Sequence, residues 1–239
     1  MLASEDSGPY GRLVTQRDDD TNSESVRISA RNSRLTIIAE ERVDVSVEGR
    51  ARVASGNNQT TIESVDGALL VRVPTGTNVV AGTTSGRIEV RGHAGNLALV
   101  SVSGRLSVES AETVDLRSES GMVEVGSSLA ECRVRAVAGA VKIGQCGSAD
   151  IATRTGRIAV RGARGAVTAH CVSGRIQIDL DVASDVDAET VSGRIDVSLP
   201  HGTRACRVSP IIDDTPELTE WDCTINSRTL TGRVVVATR

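Results

Sequence analysis

Six arginines stand one residue after the glycine of a recurring phrase: Arg87, Arg105, Arg157, Arg175, Arg194 and Arg233. A guanidinium keeps its charge in a protein and offers five donors, so a row of them suits the holding of anions. Met122 and Ala140 occupy the same place in two further copies and interrupt the series. On adjacent strands about 4.8 Å apart, two such charges repel by roughly 0.9 kcal/mol in water before screening. Splayed side chains, or the acids Glu89 and Asp196 two residues further on, relieve that. The row reads either as a solvated face with modest ion pairs or as a basic stripe for a polyanion or an acidic partner surface.

Other reactive groups are scattered. Glu89, Glu124 and Asp196 share the third place after a glycine, with Ser107, Lys142, Ala159 and Gln177 standing between them. Glycosidase carboxylates must approach within about 5–10 Å, and acids two coils apart would manage about 9.6 Å. Aromatic neighbours for sugar stacking are missing, so we expect no catalytic residue and no enzyme. Asp213 and Asp214 read as turn chemistry. His93, His170 and His201 fall at different distances from their glycines, which argues against a metal or catalytic histidine cluster. The five cysteines are odd in number and match no metal or CxxC spacing, so free thiols in a reducing compartment are expected, with Cys132 a small core residue. The calcium repeat GGxGxD, a strand-to-helix GxGxxG, GxSxG and a Walker loop are all absent, so no cofactor is expected.

The elements that must position these residues are visible as a repeat. The phrases TSGRIEV, VSGRLSV, ESGMVEV, AGAVKI, TGRIAV, VSGRIQI and VSGRIDV place glycines at 86, 104, 121, 139, 156, 174 and 193. Recurrence at 17–19 residues marks a repeat architecture. After each glycine the residues alternate, as in Ile88 and Val90 against Arg87 and Glu89. Period two means a strand with one buried face. A second alternating pair follows (Leu97/Leu99, Val114/Leu116, Cys132/Val134, Ala149/Ile151, Val167/Ala169), and the connections are too short for crossover helices. The fold expected is all-β: a single-domain parallel β-solenoid, a single-stranded β-helix with 17–18-residue coils, glycine at each tight corner and a continuous core. An eighth copy, LTGRVVV, puts Gly232 39 residues after Gly193, close to two further periods.

Composition agrees with a thin interior. Of 239 residues 39% are hydrophobic and only 1% aromatic, with no Phe, so Val, Ile, Leu and Ala must fill the core. The net charge of −4 gives no global basic character, and stacking platforms are missing, so no sequence-specific nucleic acid is expected. No apolar run approaches the length of a transmembrane helix, and the first residues lack a secretory pattern. If Met1 is the native start the chain is expected in the cytoplasm, and otherwise at the envelope. Residues 1–24, with QRDDDTNSES, read as a disordered or loose arm, and 25–239 as the solenoid. Within it, 25–80 are irregular first coils or a cap, 81–208 regular coils, and 209–239 a cap loop with the last strand. VPTGT at 73–77 is echoed by LPHGT at 199–203. SPIIDDTPELTEW at 209–221 breaks the period with Pro210 and Pro216, and Trp221 is expected to cover the core end.

The run LLVRVPTGTNVVAGTTSGRIEVRGHAGNLALVSVSGRLSV at 69–108 resembles a bacterial β-strand-repeat family of unknown function. That family is considered adhesin-like and related to the heads of candidate auto-transporter adhesins. The resemblance spans about 25–239 and lies in the strand, Pro-x-Gly, then repeated T/S-x-S-G-x-I-x-V. It implies a β-helix without transferable catalytic residues. It also implies a link in many members to the cell envelope and in some to envelope stress. Met122, Ala140 and the 209–221 interruption depart from the pattern. The function expected is a non-catalytic scaffold or binding surface for an unidentified protein or polyanion, open to homo-oligomerisation. The competing expectations are a structural protein stacking end to end and a polysaccharide-acting β-helix enzyme.

Overall fold

A computed structural model describes residues 13–15, 25–56, 58–203, 206–209 and 222–238. They form ten strands joined in one sheet, and no described residue is helical. The fold is all-β and solenoid-like. The chain divides into two compact units, Met1–Glu112 and Thr113–Arg239.

In the first unit, β2 (Ser25–Glu40) lies between β5 (Gln59–Pro74) and the start of β6 (Asn78–Ala163), parallel to both. Leu35 therefore has Leu69 as partner on one side and Ile88 on the other. Sequence order and sheet order differ here. The chain leaves β2, builds β5 on its far side, then crosses back to start β6. The crossing is the turn 74–77. Gly76 takes φ 78°, and Thr77 N–H donates to Pro74 O at 3.2 Å. The turn is pinned from both sides by Thr75 N–H to Glu40 O and Gly76 N–H to His93 O, each 3.0 Å. Antiparallel strands β3 (Val45–Glu48) and β4 (Arg52–Gly56) occupy the other edge of β5, and β1 (Leu13–Thr15) pairs with β3. They cover hydrogen-bonding groups that a bare edge would leave open to another chain.

In the second unit, β7 (Val167–Leu180) adds in parallel to the last part of β6, β8 (Val186–Leu199) adds to β7, and β10 (Cys223–Thr238) adds to β8. Gly156, Gly174, Gly193 and Gly232 are consecutive partners. This corrects the spacing read for LTGRVVV: Gly232 stands on the strand next to Gly193 rather than two periods away. The reason is that the chain leaves the stack after Pro200. Strand β9 (Cys206–Ser209) lies on the far edge of β10, so β10 fills the place beside β8. The exit turn is the echo of 74–77: Gly202 takes φ 85°, and Thr203 Oγ1 donates to Pro200 O at 2.9 Å. Each Pro-x-Gly-Thr thus marks where the chain steps over a strand position. The segment expected to cap the end through Pro210, Pro216 and Trp221 lies outside the described residues.

Burial follows the alternation. Ile88, Leu99, Leu106 and Val79 in the first unit, and Leu116, Val134, Ile151 and Ile176 in the second, are fully buried. At about 1.5–3 kcal/mol for each such side chain, this core outweighs the repulsion of one aligned arginine pair. Ala163 is the last residue of β6 and completely buried.

Candidate functional site

The outward residues are aligned by the way the corners stack. At Gly139 and Gly156 the backbone takes φ 131° and 138°. A Cβ on either would lie 1.8 Å from the carbonyl oxygen of the preceding corner glycine, Gly121 or Gly139. No side chain fits there, so the glycines hold the coils in register. Three residues before the corner a buried hydroxyl braces it: Thr83 donates to Ser85 O at 3.0 Å, Ser118 to Ser120 O at 3.4 Å and Thr153 to Thr155 O at 3.3 Å. The sequence reading missed these three hydroxyls, although Thr83, Ser118 and Thr153 keep a constant distance from their glycines.

In the second unit Arg157, Arg175, Arg194 and Arg233 are direct register partners on four successive strands, and all four are exposed. Arg194 Nε donates to Asp196 Oδ1 at 2.6 Å. Among the described residues the other three have no ion-pair partner. Thr155, Ser173, Ser192 and Thr231 precede the same glycines and are exposed beside them. Val172, Val191 and Leu230, two residues before the corner, are exposed at 49%, 46% and 81%. The ridge is therefore cationic with an apolar flank. Met122 and Ala140 occupy the corresponding position on earlier coils of this unit and leave those four arginines uninterrupted.

The remaining members, Arg87 and Arg105, are in the first unit, where the sequence reading missed Arg34. Arg34 is the register partner of Arg87. Its signal is SRLTI, which matches GRIEV with Ser33 in the glycine's place. Arg87 Nη1 lies 3.9 Å from Glu89 Oε2, while Arg91 holds the same carboxylate at 2.8 Å.

The second unit also has a cationic cluster that is neutralised. Arg135 grips Asp150 through Nη1–Oδ1 at 2.9 Å and Nη2–Oδ2 at 2.5 Å, and also reaches Asp150 O at 3.1 Å. Arg133 lies 2.6 Å from Glu131 and 3.6 Å from Asp150. The hydrogen bond from Arg135, ahead of its charge, holds the Asp150 carboxyl below the usual aspartate range. This cluster has satisfied its charges within itself, and the ridge has not.

Other candidate groups stay apart. Glu89 pairs with Arg91, Glu124 with Lys142 at 3.3 Å and Asp196 with Arg194. His93 Nδ1 meets Ser110 Oγ at 3.0 Å, His170 Nδ1 lies 3.4 Å from Glu189, and His201 stands in an exposed turn. Among the described residues no three His, Cys, Asp or Glu side chains cluster as a metal site. Cys132, Cys146 and Cys171 are buried and in no disulfide, and Cys223 is buried as well. Burial pushes the Cys132 thiol up and that of Cys146 up to about 11, which suits core residues rather than nucleophiles.

The sequence profile of the family described as Toastrack DUF4097 matches residues 13–209. The chain belongs to this family. No curated protein matches this Toastrack chain. Among solved structures it is similar to a candidate adhesin from Bacteroides fragilis, at 12% identity and a TM-score of 0.38 over 98% of both chains. It is also similar to a candidate cell adhesion protein from Clostridium sporogenes, at 8% identity and a TM-score of 0.28, covering 96% of this chain and 100% of that one. At such scores neither likeness bears on what this Toastrack chain binds.

Proposed function

We propose that the chain is a non-catalytic single-stranded β-helix of 17–18-residue coils that serves as a scaffold, with the second unit's arginine ridge as its binding surface for an anionic partner. One observation carries this reading: Arg157, Arg175 and Arg233 stand in register around Arg194 without an acidic partner among the described residues. A face evolved only for solvation gains from interspersed acids, as the Arg133–Arg135–Asp150 cluster of the same unit does. The apolar flank of Val172, Val191 and Leu230 gives a partner desolvated contact beside the charges. The non-catalytic part of the reading is supported by the acids, since Glu89, Glu124 and Asp196 each sit in an ion pair.

Retention on immobilised dextran sulfate tests the reading. The parent is expected to elute later in a salt gradient than a variant carrying Arg157→Gln, Arg175→Gln and Arg233→Gln. Equal elution of two equally folded proteins would remove the ridge as the binding surface.

A further inference from the structure

The first unit carries a second basic feature, distinct from the ridge. A shallow cleft of about 360 Å³ lies over the corner of β2 and β6, lined by Asn32, Ser33, Arg34, Ser85, Gly86 and Arg87. It is built from two corresponding tripeptides in parallel register, Asn32–Ser33–Arg34 against Ser85–Gly86–Arg87. Four features of it point to a ligand. Arg34 is exposed and has no ion-pair partner among the described residues. Arg87 is only loosely neutralised, because Glu89 is engaged by Arg91 at 2.8 Å. Asn32 Oδ1 accepts from Ser85 Oγ at 2.6 Å, which commits the acceptor atom and leaves the amide N–H groups to donate. Ser33, only 1% exposed, has a hydroxyl without a hydrogen-bond partner, a condition that buried polar groups rarely keep.

We infer that this cleft is an oxyanion site, in which Arg34 and Arg87 clamp the charged oxygens of a phosphate, sulfate or carboxylate group and Asn32 supplies a further donor. Every uncommitted side-chain group in the cleft donates, and no carboxylate lines it. Paired guanidiniums on adjacent strands match the spread of oxygens in such a group. Gly86 lets the two corners stack closely, because a Cβ there would lie 2.3 Å from the carbonyl oxygen of Ser33, and that stacking keeps Arg34 and Arg87 in register.

Amide chemical-shift titration of the whole chain with inorganic phosphate, sulfate and acetate in turn tests this. Saturable shifts at Ser33, Arg34, Ser85, Gly86 and Arg87 are expected. The double variant Arg34→Gln/Arg87→Gln should lose at least tenfold in affinity with an unchanged circular dichroism spectrum, and Ser85→Ala should lose little. The Arg157→Gln/Arg175→Gln/Arg233→Gln protein should bind as the parent does, which separates this site from the ridge. Response to phosphate and sulfate alone assigns a tetrahedral group, and an equal response to acetate assigns a carboxylate. Absence of saturable shifts with all three anions, or full affinity in the folded double variant, overturns the inference. Loss of binding in the ridge variant instead would do the same.

Discussion

Gly156 shows how much one residue of this fold carries. With φ at 138° and a would-be Cβ 1.8 Å from Gly139 O, Gly156→Val must both strain its own backbone and push the neighbouring corner away. The expected cost is about 3 kcal/mol or more. Ala166→Val, at an exposed position before β7, should change stability by no more than about 0.5 kcal/mol. Thermal melts of the two variants check this, and equal melting temperatures would contradict the stacked corner. Asp150 gives a second test, by pH. Its folded-state pKa lies below the ordinary 3.8, so the pair with Arg135 contributes fully above that value and is lost as pH falls through the lower, folded one. Both side chains are more than a quarter exposed, so the contribution is about 0.2–1 kcal/mol. Asp150→Asn should cost that much at neutral pH, and the gap to the parent should narrow as the pH falls below 3.8 in denaturant titrations.

At the scale of elements, the edge of β5 is the exposed liability that β3 manages. Val47 of β3 is 3% exposed and pairs with Val71. Val47→Lys would bury a charge or lift β3 away, and a lifted β3 bares a strand edge. Light scattering is expected to show concentration-dependent association of that variant, while the parent keeps its size. A variant of unchanged size and stability would mean that β3 shields nothing. The strands themselves were legible in the sequence because alternation sets which side chains are buried, and Ile88, Val90, Leu97 and Leu99 are all buried as read. Their neighbours in the sheet were less legible. Which strand lies beside β2 or β8 is decided by the crossings at 74–77 and 200–203, and a crossing looks in sequence like any other Pro-Gly turn. The segment between Gly193 and Gly232 happens to be about two periods long, so spacing alone placed the last strand one position too far.

For the molecule as a whole, the arginine row was read from the sequence as one series, and the structure sorts it by unit. Arg87 and Arg105 join Arg34 in the first unit, and the other four form an unbroken set in the second. Arg34 escaped notice because its corner has Ser33 where the repeat has glycine. The state of pairing could not be read at all. Whether an acid reaches an arginine depends on rotamers and on the adjacent strand, as the contrast between Asp196 on Arg194 and the open Arg175 shows. This open charge is the proposed binding surface, and counterion release measures it directly. An anionic polymer held by the ridge displaces its counterions, so affinity falls linearly with salt on logarithmic axes. The decisive measurement is the affinity of the second unit's ridge for dextran sulfate, taken on the whole chain from low to physiological salt. Parent and Arg157→Gln/Arg175→Gln/Arg233→Gln proteins should differ in slope by about 3, one for each cation removed. Parallel lines of equal affinity would show that the ridge is merely solvated.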